Sequence, residues 1–305
     1  MAANAGRYAP SPSGPLHLGN LRTALLAWCF ARSRRAPFLI RIEDLDPRRS
    51  RARYAAAALT DLARLGLDWD GEPWRQSERH QRHREAFEAL RGAGVLYECW
   101  CTRAEIREAT QAPHAPSARA YPGTCRGLTR GERARRAAQG DPSAWRLDGG
   151  RARVAFEDLL AGPTEGVIDD FVVWRGELPA YNLAVVVDDA DQGVGEVVRG
   201  DDLLETTPRQ IALARLLGLA VPRYAHVPLV LGRGGARLAK RDGAVTLDDR
   251  LALGESVEEI VGWMAASVGF AAPGAVLSAD AVLAAFAPER ISREPTVFAP
   301  AGVPS

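Results

Sequence analysis

Near its N-terminus the chain alternates short apolar segments with helical stretches, an order that commits it to a parallel sheet crossed by helices. Residues 6–10 form a short extended segment closed by Ser11-Pro12-Ser13-Gly14-Pro15, turn chemistry that ends a strand and aims the chain at a helix. Residues 17–32 carry a helical pattern, 37–42 read as a buried strand, and the acidic turn Glu43-Asp44-Leu45-Asp46-Pro47 leads into a helix over 50–65. Another helix over 78–92 runs into Val95-Leu96-Tyr97-Glu98-Cys99-Trp100-Cys101, after which Pro113, Pro116, Pro122 and Gly123 mark an irregular insertion. The pattern returns at 181–187, a continuous apolar run closed by Asp188 and Asp189 that reads as a strand buried on both faces. A strand at 195–199, a helix over 207–217 and a strand-like stretch over 225–231 follow, then a glycine-rich loop around Lys240. Beyond Val245 the text is helical, with Ser256 a cap for 257–267 and a short helix near 279–286, while the Pro- and Gly-containing residues 299–305 are expected to be mobile.

A chain of 305 residues exceeds what one hydrophobic core usually supports. The expected division is therefore a first catalytic half over 1–98, an insertion over 99–180, a second half over 181–247 and a helical appendage with a tail over 248–305. With 47% apolar and 25% charged residues the chain can bury a core and lacks the skew of a disordered one. No apolar run approaches the roughly 18 to 20 residues that span a bilayer, and residues 1–7 lack the apolar segment of a secretory signal, so a cytoplasmic location is expected.

Net charge is +1, so a nucleic-acid partner must meet a local basic surface rather than an overall positive field. Arg48, Arg49, Arg51 and Arg53, and Arg130, Arg133, Arg135 and Arg136, are the clusters that can touch phosphates or simply form solvated helix faces. Of 39 basic residues a single one is lysine, Lys240. It lies in Arg237-Leu238-Ala239-Lys240-Arg241-Asp242-Gly243, where a compact point charge on a flexible stem can follow phosphate charge as it develops. At the other end of the pattern, His17-Leu18-Gly19-Asn20 opens a helix. Backbone N–H groups there favour phosphate, Gly19 clears space for a nucleotide, and His17 and Asn20 can donate hydrogen bonds.

Together these two segments resemble the paired signatures of the class I aminoacyl-tRNA synthetases. Arg7-Tyr8-Ala9-Pro10-Ser11-Pro12-Ser13-Gly14, Arg41-Ile42-Glu43-Asp44-Leu45-Asp46 and Val198-Arg199-Gly200-Asp201-Asp202-Leu203 are similar to the glutamyl branch, in the right order and covering the chain to about Leu247. The resemblance implies an α/β fold, a Rossmann-type parallel sheet with a zinc-bearing insertion and a small C-terminal helical appendage. It implies a ligase, expected to be monomeric, that activates L-glutamate with ATP and magnesium. His17, Asn20 and Lys240 are the expected catalytic residues, with Gly19 joining them around ATP. For glutamate it implies Arg7 and Arg199 on the side-chain carboxylate, Glu43 on the α-ammonium, and Tyr181 and Ser11 completing the pocket.

Within that branch the chain looks like the short subgroup that attaches glutamate to queuosine in the anticodon of tRNA(Asp), because little sequence follows the Lys240 loop and because of two further segments. These are Cys99-Trp100-Cys101 and Tyr121-Pro122-Gly123-Thr124-Cys125. Three thiolates from Cys99, Cys101 and Cys125 suit a tetrahedral zinc site that needs a fourth ligand. The resemblance gives Tyr121; general metal chemistry prefers His114 in the same loop. Cys29 is expected in the core. The lysine-loop signature departs from the usual pattern at Arg237 and Ala239, keeping a charge and losing a hydroxyl. Alternatives are a truncated synthetase charging the 3′ end of tRNA(Glu) and an inactive RNA-binding paralogue.

Overall fold

The computed structural model describes residues 4–102, 104–106, 121–140, 142 and 144–298. His114 and the tail at 299–305 fall outside them. Strand β1 (Ala5–Tyr8) pairs in parallel with β2 (Phe38–Ile42), and between them helix α1 (Leu18–Ser33) packs across the sheet. Gly6 permits that packing, since a Cβ there would lie 2.8 Å from the Ala31 Cβ. Leu21, Leu25 and Leu26 of α1 are at most 1% exposed, each worth about 1.5–3 kcal/mol of burial.

Beyond β2 come α2 (Ala52–Arg64), β3 (Trp74–Arg75), α3 (His80–Gly92) and β4 (Leu96–Cys99). The insertion adds α4 (Arg130–Gln139), β5 (Ala144–Leu147), β6 (Arg153–Asp158), β7 (Gly162–Val167), β8 (Phe171–Arg175) and β9 (Leu178–Pro179). The second half supplies α5 (Tyr181–Asp191), β10 (Val194–Gly200), α6 (Thr207–Leu216), β11 (Arg223–Val227) and β12 (Val230–Leu231). Helices α7 (Leu247–Ala252), α8 (Val257–Ala266) and α9 (Ala279–Ala284) and strand β13 (Thr296–Val297) close the described chain.

The main sheet has seven strands in the order β3-β2-β1-β10-β11-β6-β7, parallel except for the β6–β7 hairpin. Strands β4-β5-β8-β9 make a separate antiparallel sheet. The hairpin of the insertion thus extends the parallel sheet, and the last strand before the insertion joins the insertion's own sheet. Ser256 caps α8 as expected, accepting from the Glu259 N–H. Buried Arg22 ties the C-terminal helices down by donating to Ser267 Oγ, Thr296 Oγ1 and the Pro228 carbonyl. No described helix is long and apolar enough to cross a membrane.

One element differs from expectation. Residues 181–187 are not a strand; they begin helix α5. Its apolar residues face a second core on nearly every side, with Leu183, Ala184, Val185 and Val187 all at most 1% exposed. A helix buried all round gives no periodicity to distinguish it from a buried strand. Its last turn carries Asp188 and Asp189 inward, where both are ion-paired.

Candidate active site and metal centre

Of the residues expected at the site, Ser11, His17, Gly19, Asn20, Glu43, Tyr181 and Arg199 line one cavity of about 520 Å³ at the C-terminal ends of β1 and β10. His17 is the N-cap of α1. Its Nδ1 accepts from the Asn20 N–H and Asn20 Oδ1 accepts from the His17 N–H, each at 3.3 Å. That exchange leaves the His17 Nε2 to carry the ring proton and the Asn20 amide nitrogen to donate, two donors beside a helix N-terminus. Burial, reinforced by the Arg237 charge, pushes the His17 pKa down to about 4, so the ring is neutral at pH 7. A Cβ on Gly19 would stand 3.1 Å from the His17 ring and 3.2 Å from the Val230 Cβ, so the glycine lets the imidazole sit close without displacing its neighbours.

The loop after β12 is clamped from both ends. Leu238 is buried, and its N–H donates to the Val230 carbonyl. Arg237 Nη1 meets Asp202 Oδ2 at 2.7 Å, and Asp242 Oδ2 accepts from the Ala239 N–H at 2.8 Å in space that a Cβ on Gly232 would fill. The backbone of Lys240 opens the following turn, Lys240–Asp242; its side chain lies outside what the structure describes.

The arginines around the cavity fall into two kinds. Arg7 does not line it. Its Nε reaches Asp189 at 3.3 Å and its Nη1 the Val198 carbonyl at 3.2 Å, beneath the floor. Arg41, which is 0% exposed, gives Nη1 to Asp189 at 2.7 Å and to Gln192 at 2.8 Å, and Nη2 to Glu43 at 3.4 Å. Burial opposes the Asp189 carboxylate, but Arg41 and Arg7 outweigh it and hold its pKa below the usual range. Glu43 goes the other way: burial raises it more than Arg41 and Arg7 lower it. Arg199 has only neutral partners, His226 Nε2 at 3.1 Å, Gln210 Oε1 at 2.7 Å and Thr207 Oγ1 at 2.8 Å, and among the described residues it has no ion pair. An arginine held this way has the donor geometry that pairs with a carboxylate. Sequence reasoning missed Arg41, Asp189 and the neutral cradle of Arg199; the paired aspartates closing an apolar run were the available signal for Asp189.

In the insertion, the Cys99, Cys101 and Cys125 sulfurs lie within 4.8 Å of one another. Tyr121 Oη is 3.4 Å from Cys99 Sγ and 3.3 Å from Cys101 Sγ, and the Cys101 and Cys125 sulfurs are 3.5 Å apart. A tetrahedral zinc with its usual bond lengths has S–O edges of about 3.5 Å and S–S edges of about 3.8 Å, so these four donors fit such an ion. Burial pushes the Cys101 thiol up to about 12 and raises the Tyr121 phenol, while at Cys125 burial is outweighed by hydrogen bonds, led by that of Tyr121, which lower the thiol, so the full set of donors ionises readily only with a cation among them. Arg146 backs it, donating from Nε to Cys99 Sγ at 3.2 Å with its guanidinium 3.8 Å from the Tyr121 ring centroid. Cys29 is buried in the main core, as expected.

A cavity with hydrogen-bond donors at a helix start, an arginine without an ion pair among the described residues and a buried carboxylate, on a parallel sheet with a cysteine-bearing insertion, defines a class. The family of "tRNA synthetases class I (E and Q), catalytic domain" matches residues 5–261, and the chain belongs to it. Within that class it is 56% identical over 301 residues to the glutamyl-Q tRNA(Asp) synthetase of Nocardia farcinica, covering 98% of this chain and 94% of that protein. It is 48% identical over 304 residues to the glutamyl-Q tRNA(Asp) synthetase of Symbiobacterium thermophilum, covering 95% and 94%. The fold is that of the glutamate tRNA ligase from Elizabethkingia meningosepticum, with a TM-score of 0.82 at 24% identity over 97% of this chain and 67% of that one.

Proposed function

We propose that this chain is an ATP-dependent ligase of the cytoplasm that activates L-glutamate and transfers it to queuosine in the anticodon of tRNA(Asp). The glutamate α-carboxylate attacks the α-phosphate of ATP, pyrophosphate leaves, and the glutamyl group of the adenylate passes to an RNA hydroxyl with release of AMP. The observation that carries the reading is the meeting in one cavity of Arg199, which among the described residues has no carboxylate in direct contact, with Glu43 and the donors His17 and Asn20. Arg199 takes the substrate's side-chain carboxylate and Glu43 its ammonium, while Tyr181 and Ser11 flank it. Arg7 acts from below, through Asp189, on the charge balance of that floor. His17, Asn20 and Lys240 hold phosphates, Gly19 keeps the histidine in place, and magnesium accompanies ATP. Both steps are positioning and charge stabilisation, so no covalent enzyme intermediate is required.

Zinc on Cys99, Cys101, Tyr121 and Cys125 would serve as a structural Lewis acid that draws the proton-poor forms of its ligands together and orders the insertion. Tyr121 is favoured as the fourth ligand because its oxygen already stands at contact distance from two of the sulfurs. The enzyme is proposed to work as a monomer, with the insertion over 99–180 and the appendage over 248–305 facing the RNA and the halves over 1–98 and 181–247 facing ATP.

The test uses labelled glutamate, ATP and tRNA from cells with and without queuosine. Label that requires queuosine and survives removal of the 3′ end supports the reading. Label lost with the 3′ end identifies a charging enzyme for tRNA(Glu) instead, and absence of glutamate-dependent pyrophosphate exchange would leave an inactive RNA-binding relative.

A further inference from the structure

Arg199 has five N–H groups and its protein partners take three of them, leaving one on each terminal nitrogen for the cavity. All three bonds hold the planar fork, and the one from Nε to His226 fixes it at its hinge. His226 is 4% exposed and lies on β11, beside β10, which carries Arg199. Its Nδ1 is 2.6 Å from Asp158 Oδ2, while Asp158 Oδ1 accepts the backbone N–H groups of Leu160, Ala161 and His226. A carboxylate so placed requires Nδ1 to bear the proton, which frees the Nε2 lone pair to accept from Arg199. The ring also stacks on Tyr224 at 6.0 Å between centroids, over which the Arg199 guanidinium lies at 5.3 Å.

We propose that His226, its tautomer fixed by Asp158, is a positioning residue that aims the Arg199 fork at the substrate's side-chain carboxylate without compensating its charge. The proposal rests on the reading of Arg199 as the carboxylate grip. A carboxylate in place of His226 would orient the guanidinium equally well and would neutralise it; a neutral imidazole orients it alone. The specificity for an acidic amino acid then depends on two residues, His226 and Asp158, that never touch it.

The groups facing the imidazole are Asp158 from β6, Arg199 from β10, Asp201 in the turn after β10, Thr207 from α6 and Tyr224 from β11. Burial lowers the His226 pKa and Arg199 adds to that, against the Asp158 hydrogen bond. Protonation would convert the Nε2 acceptor into a donor facing another donor.

The experiment is glutamate-dependent pyrophosphate exchange on the full chain, with KM for glutamate and for ATP measured separately. His226→Phe keeps the stacked ring and removes both nitrogens; it is expected to raise the glutamate KM about 10- to 100-fold with the ATP KM unchanged. His226→Gln restores an acceptor near the Nε2 position and is expected to recover most of that loss. Arg199→Ala separates the two ideas. If it raises the glutamate KM and His226→Phe does not, the positioning proposal falls while the reading of Arg199 stands. If Arg199→Ala leaves the glutamate KM unchanged, the grip itself is wrong and the proposal falls with it. Should the Phe variant fail to fold, the Gln variant decides through its pH profile: glutamate kcat/KM falls at acid pH in both proteins because Glu43 and His17 titrate in the same cavity, and the limb is expected to begin at lower pH in His226→Gln than in the wild type. A limb that begins at the same pH in both overturns the proposal.

Discussion

The parallel-sheet core and the cysteine knuckle of the insertion are ordered by different means. The core packs long apolar side chains from α1, β1, β2 and α8 into one continuous cluster. The knuckle's buried cluster is Tyr97, Cys99, Tyr121 and Cys125, three of which are the proposed metal ligands. An apolar cluster that small contributes little on its own, whereas a structural zinc in a short peptide contributes on the order of 10 kcal/mol. The core's packing does not draw on the proposed metal, whereas the knuckle has little besides its proposed ligands to hold it. The two regions thus have separate foundations.

The largest expected effect comes from Lys240→Ala. Glutamate-dependent pyrophosphate exchange should fall about 10²- to 10³-fold, as for loss of one donor to a developing charge, with one metal per chain retained. Unchanged exchange would break the assignment of the loop to ATP. Next is Arg146→Met, which removes the donor to Cys99 and the cation over the Tyr121 ring while keeping bulk. Metal affinity, read by competition with a chelator, should weaken about 10- to 100-fold while exchange stays near wild type. A matching fall in exchange would show that the two regions are not separately founded.

The smallest effect concerns Asp61 of α2, which packs in the core with no hydrogen bond to its carboxylate among the described residues. Burial and the Asp248 charge push its pKa up to about 6. A carboxyl whose folded pKa lies above its unfolded value favours folding most at low pH, and that contribution is lost as pH rises through about 6. Asp61→Asn should therefore stabilise the protein by about 1 kcal/mol at pH 8, with the gain gone by about pH 4. Thermal melts across that window check it, and metal content should not change.

Much of this was legible in the sequence because it is local. A turn of Ser, Pro and Gly between an apolar segment and a helix placed His17, Gly19 and Asn20, and the spacing of Cys99, Cys101, Tyr121 and Cys125 brought four donors into one loop region. What could not be read is carried by contacts between distant segments. Arg7 faces Asp189, not the cavity, because α5 is a helix whose final turn points inward, and that helix was hidden by an apolar run without period. The cradle of Arg199 draws on Asp158, Thr207, Gln210 and His226 from three elements, and nothing near any one of them in the chain announces the others.

The β6–β7 hairpin belongs to the insertion by chain order and to the main sheet by hydrogen bonding, and Asp158 sits where β6 meets β11. The insertion therefore has no clean hinge at its base. Swinging it as a rigid arm would peel β6 from the sheet and pull the carboxylate away from His226. Any movement of the insertion against the rest of the chain falls to the four-stranded sheet and the knuckle beyond it, while the root of the arm stays welded to the wall that holds Arg199.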